Sequence, residues 1–302
     1  MEYILENVWT TDRNPKQKHV YVKDNVIRYV SERPLKMKCF TVNSSGFDVI
    51  PGYVCRDFSI ADMDETSIQN CCEDLVKNGC TSVVTIVPLT FPKEYDRKIS
   101  DLRTKLATMP LDYVIGVQVP MSRISPSLIR TCQKAKIPFI NAVVEQEEDL
   151  DTVIWEWIRN VNFPYTVPII ADWSQLPLHE KRLQQIQEKW VRLCKEKSII
   201  TIEEFPNDKE RLTKHQLQCI GLYPKKGSWI TGSDVDYLVF ERIVSVDGEE
   251  IVKYDKNKNP VIVVQNGTVI KVRDDLRLMQ GAGKEMKIIR PGIFRVMSND
   301  LL

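Results

Sequence analysis

The chain has 302 residues, with 42 lysines and arginines against 41 aspartates and glutamates, a formal net charge of +1. That balance gives no electrostatic basis for binding nucleic acid or an anionic membrane surface, and no apolar run reaches the length of a membrane span. Hydrophobic content of 43% and charged content of 27% are those of a globular protein with a sizeable core.

The N-terminal segment, to about residue 50, reads as β. Residues 2–9, 19–30 and 37–50 read as short strands, and Asp24-Asn25 between Val20-Tyr21-Val22 and Val26-Ile27 marks a hairpin turn. From residue 51 strand and helix alternate. Helices are predicted over 64–78, 92–108, 125–135, 149–160 and 178–197, the last with Leu183, Ile186, Trp190, Val191 and Cys194 on one stripe. Between them lie apolar, β-rich runs at 82–88, 113–119, 138–144, 167–172 and 199–205. With the run ending near Asp57 they suggest six strands of a parallel sheet buried on both faces. After Glu210 a short helix is expected near 212–220. Strands return over 235–271, where Asn266-Gly267 gives the strongest hairpin signal of the chain. The tail, 280–302, is expected to wrap the surface.

The first residues, Met1 to Asn7, lack the basic start and long apolar segment of a signal peptide, so a cytoplasmic protein is expected. None of the eight cysteines forms a Cys-x-x-Cys pair, and most lie in apolar stretches; they read as reduced, buried thiols. Asp62-Met63-Asp64-Glu65 precedes an apolar-periodic helix and reads as an N-cap rather than a metal site.

Three stretches carry a family likeness. The first is Val49-Ile50-Pro51-Gly52-Tyr53-Val54-Cys55-Arg56-Asp57-Phe58-Ser59. The second is Gly79-Cys80-Thr81-Ser82-Val83-Val84. The third is Gly221-Leu222-Tyr223-Pro224-Lys225-Lys226-Gly227, followed by Gly232-Ser233-Asp234-Val235-Asp236. In order and spacing they resemble the cyclic amidohydrolases of the dihydropyrimidinase, hydantoinase and dihydroorotase group. The resemblance implies an α/β fold: a shortened TIM-like (β/α) barrel of about six βα units over 51–231. A small composite β-sandwich would be formed by 1–50 together with 232–302. Residues 51–225 fall short of the ~250 of a complete eight-stranded barrel, which leaves closure by irregular segments or an open edge covered by a partner.

The same resemblance counts against catalysis. Family members carry two metal-binding histidines at the end of the first barrel strand; here those slots hold Asp57 and Ser59, and the preceding aspartate slot holds Cys55. Asn141 stands where the group has its metal-bridging lysine, and Ile170 takes a histidine position. The chain has only three histidines, His19, His179 and His215, none at a family ligand position. No catalytic residue and no cofactor are therefore expected, with Asp57, Asp172, Cys55 and Asn141 as vestigial rim candidates. The expected role is a scaffold or regulatory subunit in a homo- or hetero-oligomer, or a binder of a small molecule in the vestigial pocket. The alternative is an active C–N hydrolase with a rebuilt site: Cys55 as nucleophile, or one divalent metal on Asp57, Asp172 and Glu203, whose oxygens would favour a hard cation. Glu204 lies beside that set. Trp155 and Trp157 sit on one predicted helix, and an exposed one would mark an interface.

Overall fold

The computed structural model describes residues 2–9, 17–202, 205–241 and 258–292. The chain opens with β1 (Glu2–Trp9), β2 (Gln17–Lys23), β3 (Val26–Ser31), β4 (Phe40–Asn43) and β5 (Phe47–Pro51). Asp24 and Asn25 both take positive φ, 54° and 57°, which is the backbone twist that a two-residue hairpin needs. The strand expected over 37–50 is divided. β4 pairs in parallel with β1, whereas β5 belongs to a different sheet. Ser44 makes the switch: its N–H and its hydroxyl both donate to the Glu6 carbonyl, and its own carbonyl accepts from Phe47 N–H.

The alternating region follows as β6 (Tyr53–Arg56), α1 (Glu65–Lys77), β7 (Cys80–Pro88), α2 (Tyr95–Leu106), β8 (Asp112–Pro120), α3 (Pro126–Ala135) and β9 (Ile140–Val143). It continues with α4 (Asp149–Thr152), α5 (Trp155–Val161), β10 (Ile169–Asp172) and α6 (Glu180–Lys197). The strands form one parallel sheet in the order β10-β9-β8-β7-β6, curled into a half-barrel with the helices on its outer face. Asp64 caps α1 as expected, accepting from Ser67 N–H at 2.8 Å. The helix expected over 149–160 is broken at Val153 and Ile154, which leave helical geometry. There the Trp155 indole donates to the Leu150 carbonyl at 2.7 Å and packs on Trp190, which replaces the lost helical bonds with a buried contact. On α6, Ile186, Trp190 and Cys194 are buried as the stripe predicts, but Val191 is exposed.

Of the sixth expected strand, 199–205, the described residues 199–202 and 205 form no strand. Among the described residues it gives the sheet one bond, Ile169 N–H to the Ile200 carbonyl at 2.9 Å, and Ile202 and Phe205 are buried in the inner cluster. The same stretch goes on to the opposite edge of the sheet. Leu212 N–H donates to the Val54 carbonyl (2.8 Å), Arg56 N–H to Glu210 (2.9 Å) and Lys209 N–H to Arg56 (2.7 Å). One irregular connection thus hydrogen-bonds both edge strands, β10 and β6, whose unpaired groups would otherwise invite another chain.

α7 (Lys214–Ile220) carries a Thr213/Gln216 capping box and ends at Gly221 with φ 80°. β11 (Tyr237–Glu241), β12 (Ile262–Gln265), β13 (Thr268–Val272) and β14 (Asp275–Leu276) then join β5 in the sheet β14-β13-β12-β11-β5. Asn266 and Gly267, φ 48° and 75°, make the expected hairpin. This sheet shares a core with the N-terminal one through Tyr3, Leu5, Val20, Val22, Val49, Val235 and Val239. Residues 281–286 run beside the start of β8, where Gly283 lies so close to the Leu111 carbonyl that a Cβ would meet it at 2.0 Å.

A buried charge network joins the two regions. Lys226 Nζ lies 2.7 Å from Asp112, 2.6 Å from Asp236 and 3.0 Å from Asp234, and its side chain has no solvent exposure. Asn266 ties in the hairpin, its N–H on Asp236 (2.7 Å) and its amide on Asp112 (3.0 Å). Burial alone would lower the Lys226 ammonium, but three carboxylates outweigh it and hold it above its ordinary range. Burial pushes Asp236 up, opposed by Lys226.

Among the described residues no helix is long and apolar enough to cross a membrane. All eight cysteines are free, and seven are buried.

Candidate functional site

The site follows from which strand positions face which way. Alternation along β6 sends Val54 and Phe58 to the inner face of the half-barrel and Cys55 and Asp57 to the helix face. The inner face is apolar. Val54, Phe58, Val84, Ile86, Val114, Phe139 and Ile170 meet Ile202, Phe205 and Leu212 from the closing connection. Three phenylalanines fill the middle. Phe139 and Phe205 meet edge to face at 5.0 Å, Phe58 and Phe205 likewise at 5.7 Å, and Phe58 stacks on Phe139 at 6.3 Å. Gly116 makes the room: a Cβ there would lie 2.3 Å from the Phe139 ring.

Arg56 covers this plug. Its guanidinium lies 4.0 Å above the Phe58 ring, donates to the Pro206 carbonyl (2.6 Å) and pairs with Asp208 at 3.2 Å. Asp208 also accepts from Phe58 N–H at 2.8 Å.

Asp57 is fully buried on the other side of the strand. Ser59 donates to Oδ1 from its hydroxyl (2.6 Å) and its N–H (3.1 Å), and the Cys71 thiol on α1 donates to Oδ2 at 3.1 Å. Burial, and then the hydrogen bond to Asp57, push the Cys71 thiol well up, so it is a neutral donor. Asp57 and Ser59, the positions that the resemblance sets against histidines, therefore bond to one another, and Asp57 fastens β6 to α1. Cys55 is buried on the same face beside Cys80, whose thiol is pushed well up by burial and then by Cys55. A thiol so placed meets the helix packing and not the interior.

The other two rim candidates do come together. Asn141 Nδ2 donates to Asp172 at 3.0 Å and reaches Gln118 at 3.4 Å; Ser174 N–H occupies the second Asp172 oxygen at 3.0 Å. Gln118 was not singled out in the sequence, although it is the one amide in the apolar run 113–119 and directly faces Asn141 in the β8–β9 ladder. Glu203 and Glu204 lie outside the described residues.

A metal of the kind the resemblance implies does not fit these side chains. Most interior positions supply carbon, Ile170 among them; the polar group there, Gln118, Asn141 and Asp172, brings a single carboxylate that is already bonded to Asn141 and Ser174, and Asp57 is turned to α1. Among the described residues no three histidine, cysteine, aspartate or glutamate side chains gather to hold an ion. Of the histidines, His19 is buried in β2, His179 precedes α6, and His215 lies one turn from the buried Cys219, 3.7 Å from its sulfur. Trp157 is 59% exposed, whereas Trp155 is buried.

No family model matches the chain, and no curated protein matches it significantly. Solved structures do. The L-hydantoinase (dihydropyrimidinase) from Arthrobacter aurescens superposes with a TM-score of 0.66 at 12% identity, covering 95% of this chain and 99% of that one. A D-hydantoinase from Bacillus sp. AR9 gives 0.66 at 11% identity, covering 96% and 99%. A further D-hydantoinase gives 0.65 at 12% identity, covering 95% and 99%. At such identities the likeness is one of backbone: this chain has the fold of the hydantoinases.

Proposed function

We propose that this protein is a non-catalytic relative of the cyclic amidohydrolases that serves as a scaffold or regulatory subunit, in the cytoplasm, within a homo- or hetero-oligomer. On this reading residues 51–231 are a shortened (β/α) barrel and 1–50 with 232–302 a composite β-sandwich. The observation that carries the proposal is the phenylalanine plug. Phe58 follows the C-terminal end of β6, on the rim where enzymes of barrel type place their chemistry, and there it packs with Phe139 and Phe205 and under Arg56 in place of polar or metal-binding groups. The plug also favours a scaffold over a small-molecule binder in the same interior. The eight free thiols support a reducing compartment.

A second reading, hydrolysis of a C–N bond, draws on the Asn141–Asp172–Gln118 cluster, polar groups at the strand ends where barrel enzymes place their chemistry. Incubation with hydantoins, dihydropyrimidines and N-acylated amino sugars separates the two. No turnover is expected. Turnover that is lost in Asp172→Ala, with the variant still folded, would overturn the scaffold reading.

A further inference from the structure

A cleft of about 630 Å³ opens between α2 and α3, beside the start of β8, on the helix side of the sheet and away from the plugged interior. Its size falls within the ~300–1,000 Å³ of small-molecule sites. The floor is apolar, from Ile99 and Ile115 among others. In the wall stands Tyr95, only 5% exposed, whose hydroxyl has no hydrogen-bond partner. A buried hydroxyl left without a partner is unfavourable, so a group that accepts its proton is favoured there. Burial pushes this hydroxyl up to about 12, which keeps it a donor.

The rim sets the sign of the ligand. Arg103 and Glu285 neutralise each other through two bonds of 2.7 Å. What remains around the cleft is Lys134, Lys136 and Lys287 against Asp96 alone. Lys136 is drawn to the Tyr165 ring, 4.5 Å away, but Lys134 and Lys287 extend into solvent from opposite walls, α3 and the C-terminal segment.

We infer that this cleft binds a small organic anion, an apolar or aromatic body bearing a carboxylate or phosphate. The body would lie on Ile99 and Ile115, an oxygen would accept from Tyr95, and the lysines would balance the charge. The site is independent of the reading of the barrel interior, and its failure would leave that reading untouched.

The test is calorimetric titration of the whole chain with phenyl phosphate, benzoate and benzylamine, with the first two separating phosphate from carboxylate preference. Saturable binding of at least one anion and none of benzylamine is expected. Tyr95→Phe, which removes no existing hydrogen bond and so keeps the fold, should weaken the anion roughly tenfold or more. Lys134→Glu with Lys287→Glu should abolish binding while circular dichroism stays unchanged. Equal binding of benzylamine, no anion binding at millimolar concentration, or an unchanged affinity in Tyr95→Phe would each overturn the proposal.

Discussion

Replacing Lys226 with Met keeps the length and apolar body of the side chain and removes its charge. The ammonium is the shared partner of Asp112 and Asp236, which are 3% and 4% exposed, and of the partly exposed Asp234. Breaking a buried ion pair from one side costs about 3–5 kcal/mol, because the other charge stays behind in a poor solvent. Two features pull the figure toward the lower end. Asn266 still donates to both Asp112 and Asp236, and the Lys284 N–H still donates to Asp112 at 3.0 Å. A loss of about 3 kcal/mol is therefore expected, a large share of the ~5–15 kcal/mol that holds a typical domain.

The pH dependence has a definite sign. In the parent, Lys226 is held above its ordinary value, so its contribution is complete below the unfolded lysine pKa of about 10.4 and is lost only as pH rises through the higher folded value. In the variant Asp236, already raised by burial, loses the charge that opposed the shift. A carboxylate raised in the fold binds its proton more tightly there than in the unfolded chain. The defect should thus be largest near neutrality and shrink as pH falls toward about 4. Urea unfolding followed by tryptophan fluorescence at about pH 7 and about pH 5 reads both quantities. A loss under ~1 kcal/mol at neutrality, or one that does not change with pH, would refute the reasoning. Adding Asp112→Asn and Asp236→Asn to Lys226→Met should recover much of the loss, since the stranded charges are then gone.

The plug gives a coupled prediction. Phe139→Ala leaves a cavity in a filled interior and should cost about 3–5 kcal/mol, whereas Gly116→Val drives a side chain into the Phe139 ring and should cost about 1–3 kcal/mol or more. Together the two should cost less than their sum in the same unfolding assay, because the introduced valine side chain would fill space that the lost ring vacates. The two tryptophans of α5 should part company: Trp155→Ala should cost about 3–5 kcal/mol and Trp157→Ala no more than about 0.5 kcal/mol, again by urea titration.

Much of the architecture could be read along the chain because its signals are local. The Asp24-Asn25 and Asn266-Gly267 turns need left-handed backbone, Asp64 can cap only the helix that follows it, and apolar runs between amphipathic helices leave little but a buried parallel sheet. The orientation of β6 was not legible for a physical reason. A strand buried on both faces has no polar alternation to reveal its phase, and a shift of one residue exchanges its faces. Asp57 and Cys55 could therefore be placed near the rim by motif, yet they lie on the helix face, Asp57 bonded to α1, while Arg56 and Phe58, not among the site candidates read from the sequence, serve the interior. The division of 37–50 between two sheets and the double edge closure near residues 200 and 209–212 depend on contacts far apart in sequence, and no local pattern encodes them. Asn141 and Asp172 were legible because adjacent parallel strands bring their ends together.

The most direct test of the central proposal, that packing occupies the interior and no metal is held there, is the metal content of the purified protein. Elemental analysis would be run before and after dialysis against zinc, manganese and magnesium. Far less than one ion per chain is expected in every case, with no change in Asp57→Ala plus Asp172→Ala. One ion per chain in the parent, lost in that double variant while the fold persists, would contradict it.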